Sequence, residues 1–138
     1  FNLLGIADAA YLTIAHYSQS VVLACPTTTF INCAKVTSSS YSEIHGVPVS
    51  IFGLLFFIVM FNLQLPIFWT KRFAWIKWYR LAFAGLGMIS VFWFVYVELY
   101  KLNAICLYCT GVHILTFFIL VLTLIGTEIL QVVGKTKS

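Results

Sequence analysis

Charge is the scarcest commodity in this chain: of 138 residues only 9% are charged while 62% are hydrophobic. Soluble globular domains carry about 25% and roughly 45–50% respectively. A soluble monomer is excluded on that ground, because too little charged surface is available to cover so much apolar side chain. Eight Lys and Arg against four Asp and Glu leave a net charge of +4. The basic residues nevertheless sit between apolar segments and form no dense patch interleaved with polar residues, so no nucleic-acid partner is expected. Internal repeats and low-complexity tracts are missing as well. The chain opens at Phe1, without an initiator methionine and already inside an apolar stretch. A fragment or trimmed chain is therefore expected, with flanking domains left open.

What is abundant is apolar sequence in long runs. At about 20 residues per membrane crossing, four helices would use roughly 80 residues and leave about 58 for loops and ends. Four segments are found, at about 1–17, 47–69, 81–100 and 104–133. The first is limited by Asp8, His16 and the polar run that begins at Ser18. The second opens with Pro48, which suits a first helical turn because its missing N–H would have no partner there. The fourth exceeds the usual crossing, so it can tilt or project beyond the hydrocarbon. The expected fold is all-α: an integral membrane four-helix bundle in a single domain, 1–138, with an outer loop at about 18–46 between helices 1 and 2.

The basic residues set an orientation. Lys71, Arg72, Lys77 and Arg80 separate segments two and three, and Lys135 and Lys137 follow segment four, whereas Lys35 and Lys101 fall on the opposite face. Basic residues concentrate in cytoplasmic loops, so both ends are expected in the cytoplasm. Trp69, Trp75 and Trp78 fit an interfacial aromatic belt. All four cysteines then lie on the extracytoplasmic side, where disulfides form and persist.

Cys106-Leu107-Tyr108-Cys109 is a C-x-x-C at a helix start, where the positive end of the helix dipole and unpaired N–H groups favour a thiolate. A three-residue offset puts both sulfurs on one face, which His113 and Phe117 continue at helical spacing. Such a stripe at the outer membrane boundary would line a pocket reachable from lipid. A dithiol becoming a disulfide releases two electrons and two protons, so a lipid-soluble isoprenoid quinone is its natural partner. Cys25 and Cys33 are separated by seven residues in the outer loop. Together with the C-x-x-C they make a relay by thiol–disulfide exchange conceivable. Four cysteines allow three pairings, and the sequence does not choose among them.

These residues carry a family resemblance. Cys25 and Cys33, then Val36-Thr37-Ser38-Ser39-Ser40-Tyr41, then Gly46-Val47-Pro48-Val49-Ser50-Ile51-Phe52-Gly53, and finally the C-x-x-C resemble the vitamin K epoxide reductase family across all four segments. The short loop and the Gly-Val-Pro before the second helix resemble its bacterial branch, which implies a bacterial plasma (inner) membrane. The resemblance implies a four-helix bundle around a quinone site and a thioredoxin-like protein as electron donor. By position, Cys25 would exchange with that partner, Cys33 with Cys106, and Cys109 would face the quinone. Ser39, six residues after Cys33, matches the family's loop serine, although Ser38 and Ser40 stand beside it. Bacterial members generally oxidise thiols for exported proteins and reduce quinone, and some are fused to a thioredoxin-like domain that is absent from this sequence.

Two positions depart from the animal pattern: His113 stands where a tyrosine is found, and Val49 where an asparagine precedes Ser-Ile-Phe-Gly. Both remove polar contacts to vitamin K or its epoxide, which weighs against epoxide reduction and leaves quinone reduction intact. His113 would replace one hydrogen bond to a quinone carbonyl, or simply bond a neighbouring helix. Val49 and Phe52, with Phe83, are further candidates for the quinone wall. The acceptor would be a menaquinone, ubiquinone or vitamin K type, with no metal. A Cys₄ zinc site is disfavoured because the seven-residue spacer is long beside the usual two to four. Haem ligation by His16 and His113 has no further histidine pair behind it. Asp8 would mark function if it lies within the membrane. Vitamin K epoxide reduction, or a non-catalytic membrane protein whose cysteines only staple the loop, are the alternative readings.

Overall fold

The computed structural model describes residues 1–18, 24–69 and 75–136. Lys71, Arg72 and Lys137, on which part of the orientation argument rests, lie outside the described residues. Helix α1 spans Asn2–Tyr17, followed by a short helix α2 at Cys33–Thr37 and a 3₁₀ turn at Ser40–Ser42. Strands β1 (Glu43–Ile44) and β2 (Val47–Pro48) pair antiparallel, Glu43 opposite Pro48 and Ile44 opposite Val47. Helix α3 is Val49–Leu63, trailed by a 3₁₀ turn at Pro66–Trp69. Helix α4 is Ile76–Tyr96 and continues as a π-helical turn, Val97–Leu102, before α5 at Leu107–Thr136.

Several boundaries differ from the sequence reading for identifiable reasons. The second helix is shorter than 47–69 because Pro66 cannot supply the N–H that a continuing helix needs. Pro48 stands outside that helix, in extended conformation as its N-cap. The third segment starts at Ile76 and not near 81. The outer loop is not uniformly irregular. Asn32 caps α2 by accepting a hydrogen bond from Lys35 N at 2.9 Å, and His45 and Gly46, both at positive φ, turn the small hairpin. Two positive φ values in succession are what a type I′ turn requires, and glycine meets that requirement without strain. Among the described residues the paired strands are this minimal hairpin, and the regular structure is otherwise helical.

The chain is mostly helical, and α4 with its π turn (27 residues) and α5 (30 residues) are each long and apolar enough to cross a membrane. Helices α1 and α3, at 16 and 15 residues, are shorter. Helix α1 packs against α3 and α5, and α4 against α5 and α3. A central cluster of Ala9, Phe57, Met60, Ala84 and Ile119 fills the space between these four helices. Gly5 permits the close approach of α1 and α3, because a Cβ there would overlap the Phe57 ring. The outward faces remain apolar, with Phe92 of α4 and Ile125, Ile129 and Val132 of α5 all exposed.

Many polar groups are turned inward and hydrogen-bonded locally, while Asn2 Oδ1 and Asp8 Oδ1 are buried without a hydrogen-bond partner. Asn2 Nδ2 donates to Gln64 Oε1 at 2.6 Å, and Gln64 Nε2 donates to Thr123 Oγ1 at 3.1 Å. The buried Arg80 donates to the Leu63 carbonyl at 3.4 Å. Thr116, Thr123 and Thr127 return their hydroxyls to carbonyls one turn back in α5. An exterior that is apolar and an interior threaded with hydrogen bonds reverse the arrangement of a water-soluble domain, in which apolar atoms are removed from water.

Candidate redox site

The cysteines are brought together by a backbone junction between the outer loop and the start of α5. Ile31 and Ile105 form a parallel bridge, with Ile105 N donating to the Phe30 carbonyl at 2.7 Å and Asn32 N to the Ile105 carbonyl at 3.1 Å. Cys33 follows Ile31 by two residues and Cys106 follows Ile105 by one, so the bridge carries both into one buried cluster with Leu12, Val36 and Ala104. Cys25 and Cys109 pack on the edge of that cluster. Tyr108, inside the C-x-x-C, reinforces the junction by donating from its hydroxyl to the Ala24 carbonyl at 3.2 Å.

Within this cluster Cys25 and Cys33 are joined as a disulfide, with Cα atoms 6.2 Å apart, and Cys106 and Cys109 are free thiols. The pairing that the sequence left open is therefore Cys25–Cys33 in this state. Cys106 is fully enclosed whereas Cys109 is partly exposed. The Cys109 backbone N–H donates to Cys106 Sγ at 3.4 Å. A side-chain hydrogen bond from Cys109 holds the Cys106 thiol below its usual range, against burial and the nearby Glu98 charge, which push it up.

Cys109 opens onto a cavity of about 840 Å³ bounded by α1, the hairpin region, α3, α4 and α5. Ser39, Val49, Phe52, Phe83 and His113 all line it. Ser39 donates its hydroxyl to the Val36 carbonyl at 2.8 Å, and Ser40 also borders the cavity while Ser38 does not. Phe83 stacks on Phe56 with ring centroids 5.3 Å apart, forming an aromatic wall. The stripe expected from Cys106 to Phe117 does not face the cavity as a whole. Cys109, Val112, His113 and Thr116 line it, whereas Cys106 turns toward the loop cluster and Phe117 is 48% exposed. The reason is rotation: at about 100° per residue, Thr116 returns within about 20° of Cys109, while Phe117 lies about 80° away.

Other sequence candidates fall elsewhere. His16 pairs with Glu43 of the hairpin at 3.1 Å and borders the cavity, joining the end of α1 to the loop. Asp8 lies beside α5 at the depth of the thiol centre, its Oδ2 at 2.9 Å from where a Cβ on Gly111 would stand. Among the described residues no group of three or more His, Cys, Asp or Glu is arranged to hold a metal. Sequence reasoning missed Glu98, which lines the cavity from the π turn and is only 6% exposed. The signal was available: an acidic residue near the end of an apolar segment, where ionisable groups are costly and usually functional.

A family model described as Vitamin K epoxide reductase family matches residues 1–124. No curated relative matches the chain.

Proposed function

The chain belongs to the vitamin K epoxide reductase family, and on that premise we propose that it is a membrane thiol:quinone oxidoreductase that takes electrons from a thioredoxin-like protein and so supports disulfide formation. Family membership makes it a membrane oxidoreductase of the quinone and vitamin K epoxide reductase type. One observation carries the finer reading. A free thiol, Cys109, opens onto a large cavity walled by aromatic and aliphatic side chains, and its partner Cys106 shares a buried cluster with the loop disulfide.

The proposed electron path has three exchanges. A reduced thioredoxin-like dithiol attacks Cys25, breaking the Cys25–Cys33 bond and leaving as its own disulfide. The freed Cys33 attacks Cys106 of an oxidised Cys106–Cys109 pair. Cys25 then closes on Cys33 and expels Cys106, which returns the loop disulfide and a reduced C-x-x-C. The structure has that pairing, the state immediately before quinone reduction in this scheme. Cys106 is the leaving thiol in the closing step, and its lowered pKa favours departure. Finally the Cys109 thiolate gives an electron pair to quinone by attack or charge transfer, and Cys106 closes the disulfide. Phe52, Phe83 and Val49 would hold the quinone ring and tail, and His113 and Ser39 would supply polar contacts at its oxygens.

The architecture proposed for this work is a four-helix bundle spanning a bacterial plasma membrane, with the cysteine cluster on the extracytoplasmic face and both ends of the described chain in the cytoplasm. Helices α1 and α3 would cross by virtue of the flanking turns and their packing on the two longer spans. The test is quinone reduction by purified protein supplied with a reduced thioredoxin-like donor or with dithiothreitol. Cys106→Ala and Cys109→Ala should abolish reduction with either donor. Cys25→Ala and Cys33→Ala should abolish it only with the protein donor. A wild type that reduces vitamin K epoxide and no quinone would replace the oxidase reading, and one that reduces neither would leave the cysteines as staples.

A further inference from the structure

Thiol oxidation has to dispose of protons inside an apolar cavity, and one side chain is placed to receive them. Glu98 sits in the π-helical turn at the end of α4, 6% exposed, and lines the cavity that Cys109 and His113 also line. A π turn inside a helix is rare and frequently marks a functional site, because the extra residue re-aims the side chains that follow it. Burying a carboxyl at the end of a membrane-spanning helix is costly without compensation. Among the described residues no cation is paired with Glu98, so an ion pair does not explain its presence.

Glu98 is distinguished from the other acids by position. The chain has four acidic residues; Glu128 lies far along α5, Asp8 lies behind Gly111 on the α1 side, and Glu43 is on the exposed hairpin and paired with His16. The titratable and charged groups that line the cavity with Glu98 are His16 from α1, Tyr41 and Glu43 from the 3₁₀ turn and hairpin, and Cys109 and His113 from α5, while Asp8 and Cys106 lie outside it but within electrostatic reach of Cys109. Lys101, on the same turn, is exposed. Glu98 and Asp8 are both within electrostatic reach of Cys109, but only Glu98 also borders the cavity.

We propose that the Glu98 carboxylate is the proton carrier between the Cys109 thiol and the bound quinone. The inference rests on the quinone-reductase reading above. In the step proposed, the Cys109 S–H proton passes to Glu98 as the sulfur gives its electron pair to the quinone. The enclosed Cys106 sulfur, which accepts the Cys109 hydrogen bond and reacts as its thiolate, bonds to Cys109, so the two cysteines are oxidised by two electrons to a disulfide. The proton on Glu98 moves to one reduced quinone oxygen, and a proton from water reaches the other. One quinone becomes one quinol, and Glu98 ends as the carboxylate it began as.

The test is single-turnover quinone reduction by the full chain in detergent, pre-reduced with dithiothreitol, using a short-chain benzoquinone and a short-chain naphthoquinone as probes. Positioned acid–base groups contribute about 100-fold or more, and Glu98→Gln should lose about that much while quinone binding is retained. Glu98→Asp, which keeps the carboxyl, should recover most of the rate, and added formate should accelerate Glu98→Ala but not Glu98→Gln. The wild-type rate should fall as pH is lowered, because protonated Glu98 cannot accept, and that limb should vanish in Glu98→Gln. A Glu98→Gln enzyme with wild-type rate and pH profile overturns the proposal. So does a Glu98→Asp enzyme as slow as Glu98→Ala with no formate rescue, an outcome that would make Glu98 structural and that is readable even if Glu98→Gln does not fold. A wild type that reduces neither probe sinks the quinone reading and this inference together, whereas an active wild type with an indifferent Glu98→Gln sinks this inference alone.

Discussion

Two cysteines three residues apart in the same motif have different environments here, and the difference is chemical. Cys106 is enclosed in the loop-side cluster and accepts hydrogen bonds through sulfur, whereas Cys109 borders the cavity. The side-chain bond from Cys109 is the largest influence lowering the Cys106 thiol pKa. Removing that donor in Cys109→Ala should therefore move the Cys106 titration upward, so that less thiolate is present at a given pH. Cys109→Ser, which retains a hydroxyl donor, should move it less. Thiolate absorbance followed across pH in Cys25→Ala/Cys33→Ala backgrounds would read Cys106 alone, and equal midpoints in the two variants would contradict the assignment. His113 and Val49, read in the sequence as departures from the animal pattern, both border the cavity.

At the scale of elements, the short loop structures matter more than their length suggests. Helix α2 has five residues and would not persist alone, since isolated short helices are marginal in water. It is held by the Asn32 cap at one end and by the Ile31–Ile105 bridge just before it. Loss of an N-cap costs about 1 kcal/mol. Asn32→Ala should thus loosen the placement of Cys33 and slow turnover with a thioredoxin-like donor several-fold. Turnover driven by dithiothreitol acting on the C-x-x-C should be nearly unchanged, and Asn32→Asp should behave as wild type. Equal slowing with both donors would show that α2 supports the cavity and not the relay. None of this loop order was legible beforehand. The composition of 18–46 reads as a polar connector, and the contacts that organise it come from residues more than seventy positions away, such as Ile105 with Ile31.

At the scale of the whole molecule, apolar faces surround a polar-threaded interior, and α4 and α5 are long enough to span a bilayer. The proposed orientation places the cysteine cluster and Lys135 on opposite sides. After mild reduction of intact cells, a membrane-impermeant maleimide should label Cys25, the more accessible loop cysteine. A cysteine introduced at Lys135 in a Cys25→Ala/Cys33→Ala background should react only after the membrane is opened. Labelling of both in intact cells, or of the Lys135 site alone, would invert or abolish the topology.

The sequence by itself determined the class of molecule, because a charge content of 9% and long apolar runs leave few ways to satisfy both side chains and backbone. Family membership was legible in the two cysteine pairs and the Gly-Val-Pro-Val-Ser-Ile-Phe-Gly segment, because they are contiguous chemical patterns. Pro66 was equally visible in sequence, but that it stops α3 before 69 emerged only with the fold. Tertiary structure alone decided the rest. Which two cysteines are joined, that Cys106 turns from the cavity while Cys109 meets it, and that Glu98 arrives beside them all depend on helix rotation and on a bridge between distant segments. Those are relations among elements, and a one-dimensional pattern carries spacing along a helix but not the angle at which that helix meets its neighbours.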